Sequence, residues 1–292
     1  MAIYLGSSSV TITKVFKEKD RTEEIIQRTI SGSYKNNQII DMKDFAFARC
    51  YSLTEVNFPN CSTVGISAFY NCTSLTSVSL PQATTIGSYA FAYCYSLTSV
   101  SLPQAISIGN DAFDNCQSLT SVSLPQATSI GSYAFRSCYS LVSIDLPQAI
   151  TIGNYAFRSC TSLTSVSLPQ ATTIGSSAFD NCTSLTSIDL SQATSIGDCA
   201  FSFCTTLTSI SLPQATTIGN NAFRYCYRLI SLNLTGVSSV PALGTSAFYS
   251  TPIGGYSTLA GQYGSVYVPT SLYNSFLTAI NWSDIASRII SV

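Results

Sequence analysis

A cysteine recurs every 22 residues along this chain, at Cys50, Cys72, Cys94, Cys116, Cys138, Cys160, Cys182, Cys204 and Cys226. Phenylalanine keeps the same step three residues earlier, from Phe47 to Phe223. Aligned on the cysteines, the units read I-G-[S/N/D]-x-A-F-x-x-C-x-S-L-T-S-[V/I]-S-L-P-Q-A-T-x. A fixed period of this length means that each unit is one small element that cannot bury its apolar face alone and must stack on its neighbours. One continuous solenoid is therefore expected, where 292 residues would otherwise allow one or two globular domains.

Within a unit, Val78 and Leu80 alternate with Ser77 and Ser79, the period of a strand with one buried face. Stacking at the strand spacing of about 4.8 Å gives a parallel sheet of about nine strands. Pro81 has no N–H for the ladder and ends the strand. The other half of the unit turns. Gly87 and its equivalents supply backbone freedom, and the next column (Ser88, Asn110, Ser132, Asn154, Ser176, Asp198, Asn220) reads as helix N-caps. Ala90, Phe91 and Cys94 then place one face of a short helical turn inward.

That placement gives the cysteines a structural role as a column of small buried hydrophobes. Disulfides between coils are allowed by distance, but nine members cannot all pair and parallel Cβ vectors suit a bridge poorly. Zinc would need four converging thiolates, since the chain has no histidine, and a linear column does not converge. Cys61 and Cys199 fall outside the column and read as incidental.

The unit "IGSYAFAYCYSLTSVSLPQAT" resembles the BspA-like leucine-rich repeats of bacterial surface proteins, across Asp44 to Leu234. In the plant and animal repeat an Asn or Cys follows the strand; here Ala83 holds that place and the thiol precedes the strand, so the likeness is to the bacterial subclass. It implies a leucine-rich-repeat solenoid with strands on one face, short helical turns and loops on the other, and caps at both ends. It also implies a surface-associated adhesion or ligand-binding role, at the cell surface or outside the cell.

The ends break the period. Residues 1–41 read as an N-terminal cap, 42–240 as the solenoid and 241–292 as a C-terminal cap. In the first, "AIYLGSSSVTITKVF" suits a hairpin with Gly6 to Ser9 as its turn, and "EEIIQRTI" suits strand or helix. In the last, Val266 to Val268 reads as a strand and a helix is expected to be capped near Thr270 or Ser271. Trp282, the one tryptophan, is expected to pack over the last coil.

Charge bounds the function. Net charge is −1, fourteen of the 27 charged residues precede Cys50 and no lysine follows Lys43, so the basic clustering that nucleic acid requires is missing. No apolar run approaches the ~20 residues of a membrane span. "MAIYLGSSSV" lacks a basic region followed by an apolar one, which leaves a removed signal, another export route and an intracellular location open. Without histidine there is no Ser-His-Asp or Cys-His device, and no P-loop or dinucleotide fingerprint is present, so neither a catalytic residue nor a cofactor is expected.

Four residues are candidates for binding. Asp145 and Asp189 share an outward strand column two coils apart, about 9.6 Å by strand spacing. That approaches the separation of an inverting glycosidase pair, but a flat sheet offers no cleft, so solubility is the stronger reading. Tyr95 and Tyr139 follow their cysteines and offer rigid amphipathic contact area at the sheet's entry edge, or else cover the junction between coils. Asp114–Arg136 and Arg158–Asp180 read as surface ion pairs of little energetic value. The Ser/Thr columns have the periodicity of an ice-binding ladder, but such ladders favour threonine and these are mostly serine. The resulting expectation is a non-catalytic scaffold for a protein or glycan ligand, with a structural component such as a phage tail or tip protein as the alternative. That alternative would place it in a phage particle or the cytoplasm.

Overall fold

A computed structural model describes residues 31–256 and 261–292, together with the backbone of two antiparallel strands, Ile3–Leu5 and Ser8–Val10. Ser8 and Ser9 therefore belong to the second strand of the hairpin rather than to its turn. The stretch "EEIIQRTI" lies outside the described residues.

From Leu53 to Leu243 the chain is a solenoid with strands on two of its sides. Each coil contributes a three-residue strand, such as Ser121–Ser123, and then a two-residue strand, such as Ser129–Ile130. Neighbouring coils pair in parallel and in register, with Val122 on Val100 and Ile144, and Ile130 on Ile108 and Ile152. The three-residue strands, with the longer Ser31–Lys35 and Ser52–Asn57 at one end and Ser265–Val268 at the other, form an eight-stranded sheet ending at Ser187–Asp189 and a four-stranded sheet that starts at Ser209–Ser211. The two-residue strands form an uninterrupted ten-stranded sheet from Asp41–Met42 to Ala242–Leu243. This second sheet is not foreseen in the sequence, because two residues are too few to show an alternation.

The third side corrects the expected helical turn. Residues two before and two after each phenylalanine of the 22-residue column have left-handed backbones, for example Tyr133 at φ 58° and Ser137 at φ 57° around Phe135. The bonding is correspondingly not helical. Tyr133, Phe135 and Ser137 donate their N–H groups to Asn154, Ala156 and Arg158 of the next coil, at 2.9, 2.7 and 2.8 Å. The intervening N–H groups turn back locally, as Arg136 does to Tyr133. A helix satisfies its own backbone; this segment spends alternate donors on its neighbour, which suits a stack of coils. The supposed N-cap column is used in the same way. Asn110 accepts the N–H of Ser132, and Asn154 that of Ser176, each one coil on.

The glycine column is also reassigned. Its members are not left-handed; a Cβ at Gly153 would stand 2.5 Å from Ser132 N and 2.6 Å from Gly131 C. Glycine here permits close backbone approach between coils rather than unusual φ. Gly153→Ala should accordingly lower unfolding free energy by about 3 kcal/mol, as tight overpacking does. Urea unfolding checks this, and a loss below about 0.5 kcal/mol would show that the coils separate easily.

Inside, one column of phenylalanines runs from Phe47 to Phe248, with ring centroids 5.0–5.6 Å apart and planes within 3–7°. The small alanines before them, Ala134 for example, are fully buried and make room for the rings. Tyr34 covers the first ring at 5.2 Å. At the other end Trp282 lies 6.2 Å from Phe248 and 5.1 Å from Phe276 and donates its Nε1 hydrogen to Pro241 O at 2.7 Å. The C-terminal strand is Ser265–Val268, and the helix Tyr273–Thr278 follows a 3-10 turn, Thr270–Leu272, without a side-chain cap. The Thr270 hydroxyl instead donates to Val292 O at 3.0 Å.

Candidate functional site

The cysteine column is interior. The nine members are buried, and each thiol from Cys72 to Cys226 donates to a phenylalanine carbonyl 25 residues earlier at 3.0–3.2 Å, Cys138 to Phe113 among them. Burial holds the thiols from Cys72 to Cys226 protonated, raising Cys94 to about 12. A protonated, enclosed thiol is neither nucleophile nor ligand, so the column belongs to the core. Cys61 is buried in the Ala83 column, and Cys199 is partly exposed on the turn side.

The sheet of three-residue strands presents serines and threonines. Their inner flanking column is tied down: Thr76, Thr98 and Thr120 donate their hydroxyls to the carbonyls of Thr54, Thr76 and Thr98 at 2.9–3.2 Å. From Ser52 onward, the charged residues in the outward positions of these strands are Glu55, Asp145 and Asp189, all negative. Asp145, Ser167 and Asp189 stand in register on adjacent strands.

The face is not flat here. A shallow depression of about 430 Å³ is lined by Ser143–Asp145, Ser165–Ser167 and Ser187–Asp189. It adjoins the break between the two sheets, where Ile188 is only partly buried while Ile144 and Ile210 are each 3% exposed. At the break, the Thr206 hydroxyl bonds Thr183 O and Leu185 O, both at 2.9 Å. Asp189 also accepts the N–H of Ser191 at 3.1 Å.

Tyr95 and Tyr139 do not line the depression. Tyr95 packs edge-on against Tyr93, a residue of the turn side, at 6.1 Å. The structure thus brings the two aspartates together and leaves the two tyrosines apart from them.

On the turn side, Asp114 is only 1% exposed and receives two bonds from Arg136, Nε to Oδ1 at 2.8 Å and Nη2 to Oδ2 at 2.7 Å. The carboxylate of this pair is therefore buried while its arginine stays partly exposed, a half-buried bridge in place of the surface one expected; Arg158–Asp180 at 3.0 Å is the more exposed one. Asp111 is buried beside the pair, and burial with the Asp114 charge raises its pKa. A carboxyl raised in the fold favours stability below its unfolded pKa, and that contribution is lost as pH rises through the folded value. At neutral pH an ionised Asp111 is consequently unfavourable. Asp111→Asn should raise Tm at pH 7, with the gain disappearing near pH 3; an unchanged or lower Tm at pH 7 would count against this electrostatic account.

Among the described residues no group of three or more acidic or cysteine side chains is placed to hold a metal, and no helix is long and apolar enough to cross a membrane. Stacked coils of short parallel strands around a ring spine define a leucine-rich-repeat scaffold. The profile of the BspA type leucine rich repeat region matches residues 40–150 and 128–254, in six copies, and the chain belongs to that family.

Solved structures of similar fold include a leucine-rich cell surface protein of Faecalibacterium prausnitzii, with 24% identity, TM-score 0.41 and 85% of this chain against 83% of that one covered. The leucine-rich repeat protein of T. pallidum gives 24% identity and TM-score 0.46, over 82% and 88% of the two chains. The pneumococcal vaccine antigen PcpA gives 17% identity and TM-score 0.48, over 99% and 85%. No curated protein matches the chain.

Proposed function

We propose that the protein is a non-catalytic scaffold that binds a protein or glycan ligand at a bacterial cell surface, with residues 1–41 and 241–292 closing the two ends of the solenoid. The observation that carries this reading is the depression over Asp145, Ser167 and Asp189, where the polar sheet face holds two exposed carboxylates in one shallow hollow. Small serines leave it accessible, and rigid strands hold both carboxylates in register. Serines, isoleucines and a valine line it beside the two carboxylates, an open and shallow lining that suits docking rather than chemistry.

The test is an array of host proteins and glycans probed with the native chain and with Asp145→Asn/Asp189→Asn. Binding should fall about tenfold or more in the double variant. Tyr95→Ala/Tyr139→Ala should leave it unchanged. Binding that survives the aspartate variant but is lost with the tyrosines would move the site to the turn side, and no binding at all would overturn the reading.

A further inference from the structure

The C-terminal end of the turn side carries an aromatic surface that neither the sheet face nor the core requires. Phe203, Tyr227, Tyr249 and Tyr256 are 40%, 50%, 44% and 49% exposed. Tyr225 lies among them, 4.5 Å from Phe203, 5.9 Å from Tyr227 and 5.7 Å from Tyr249, and Tyr256 is 5.9 Å from Tyr249. The rings are tilted or edge-on to one another, so their faces are not used up by mutual stacking.

Arg224 fixes this surface. Its guanidinium sits 4.5 Å over the Tyr225 ring and 5.4 Å from that of Tyr249, and Nη2 donates to the Tyr225 hydroxyl at 2.8 Å. Its Nε is enclosed and has no acceptor. The same column shows what is missing. Arg136 and Arg158, equivalent positions in earlier coils, are each answered by a carboxylate one coil away, Asp114 and Asp180. The equivalent neighbours of Arg224 are Ser202 and Tyr249, which carry no charge. Arg228 is exposed nearby in sequence, and beyond Asp198 the chain has three arginines against one acidic side chain, Asp284.

We propose that this surface docks an acidic segment of a protein partner, whose carboxylate supplies the counter-charge that the column lacks at Arg224 and whose side chains cover the exposed rings. Rigid tyrosines around an arginine are the residue types that dominate protein interfaces, and a pre-fixed ring geometry lowers the ordering cost of binding. With no carboxylate beside Arg224 in its own column, its positive charge selects for an acidic segment over a basic one.

The probe is a displayed library of random peptides selected on the full chain. Enriched peptides should carry Asp or Glu, weaken with added salt, and lose affinity about tenfold or more on Tyr227→Ser/Tyr249→Ser and on Arg224→Gln/Arg228→Gln. Tyr227 and Tyr249 are exposed, so the first variant is expected to keep the native circular dichroism and Tm even if the second does not. Asp145→Asn/Asp189→Asn should leave this binding intact, which separates it from the sheet-face site. Failure to enrich, enrichment without acidic residues, or indifference to both variants overturns the proposal. Patch-dependent binding on a glycan array, or patch-dependent self-association in sedimentation, overturns it in favour of a carbohydrate or a second copy of the chain.

Discussion

Raising the pH from about 8 to about 10 is expected to unfold the protein in one steep step. Eight thiols, from Cys72 to Cys226, have their pKa raised by burial. For a group whose folded pKa is raised, the stability it contributes is complete below the unfolded pKa and is lost as pH climbs toward the folded one. The window therefore opens near pH 9, the ordinary thiol value, and for Cys94 extends to about 12. Inside it, each thiol that ionises only on unfolding removes about 1.4 kcal/mol of stability per pH unit. Eight acting together give a slope of about 11 kcal/mol per unit, comparable with the whole stability of about 5–15 kcal/mol of an ordinary domain. Urea midpoints at pH 8, 9 and 10 measure the slope. A thiol reagent at pH 8 should find Cys199 and little else until denaturant is added. A midpoint that stays level up to pH 11 would mean that the thiols ionise in place or are not enclosed.

Phe135→Ala should cost about 3–5 kcal/mol, the range for a large buried aromatic. The ring is stacked on both sides, 5.2 Å from Phe113 and 5.3 Å from Phe157, so its removal also takes away two aromatic contacts of about 0.5–1.5 kcal/mol each. Because each coil rests only on its neighbours, the damage falls on two interfaces at once and the unfolding transition should lose cooperativity as well as midpoint. Ser123→Ala, on the exposed sheet face, is the control and should stay within about 0.5 kcal/mol. Equal shifts for the two variants would reverse the assignment of inside and outside.

Much of this architecture can be read from the chain because the same residue must satisfy the same neighbour in every coil. The alternation around Val78 and the recurrence of Phe91 and Cys94 are enough to assign which side chains face inward. The turn side is harder. The spacing A-F-x-x-C fits a helical turn equally well, and the backbone differs only at positions where side chains vary among tyrosine, serine, asparagine, aspartate, phenylalanine, arginine and cysteine. Asn71, Asn115, Asn181 and Asn221 all occupy left-handed positions there, and asparagine is a residue that tolerates that conformation. Their recurrence is the overlooked signal. The glycine column is ambiguous for a similar reason, since freedom in φ and closeness to a neighbour leave the same letter. At the candidate site, a shared strand column predicts that Asp145 and Asp189 align. The depression between them adjoins the interrupted sheet beyond Asp189 and has no counterpart in the local sequence.

The in-register pairing of coil on coil has a consequence for how such a molecule changes over generations. Through the regular coils, the upper surface of one and the lower surface of the next present nearly the same side chains in the same register. A copying error that duplicates or deletes one repeat's worth of coding sequence therefore joins two surfaces that already fit, and Trp282 still finds a phenylalanine ring to cover. Reach becomes adjustable in steps of one strand spacing, about 4.8 Å, without redesign of the interior. What such an error does alter is the coils that differ from the rest, and with them the separation between the acidic depression and the aromatic surface, which is the distance between the two places where partners are proposed to meet this chain.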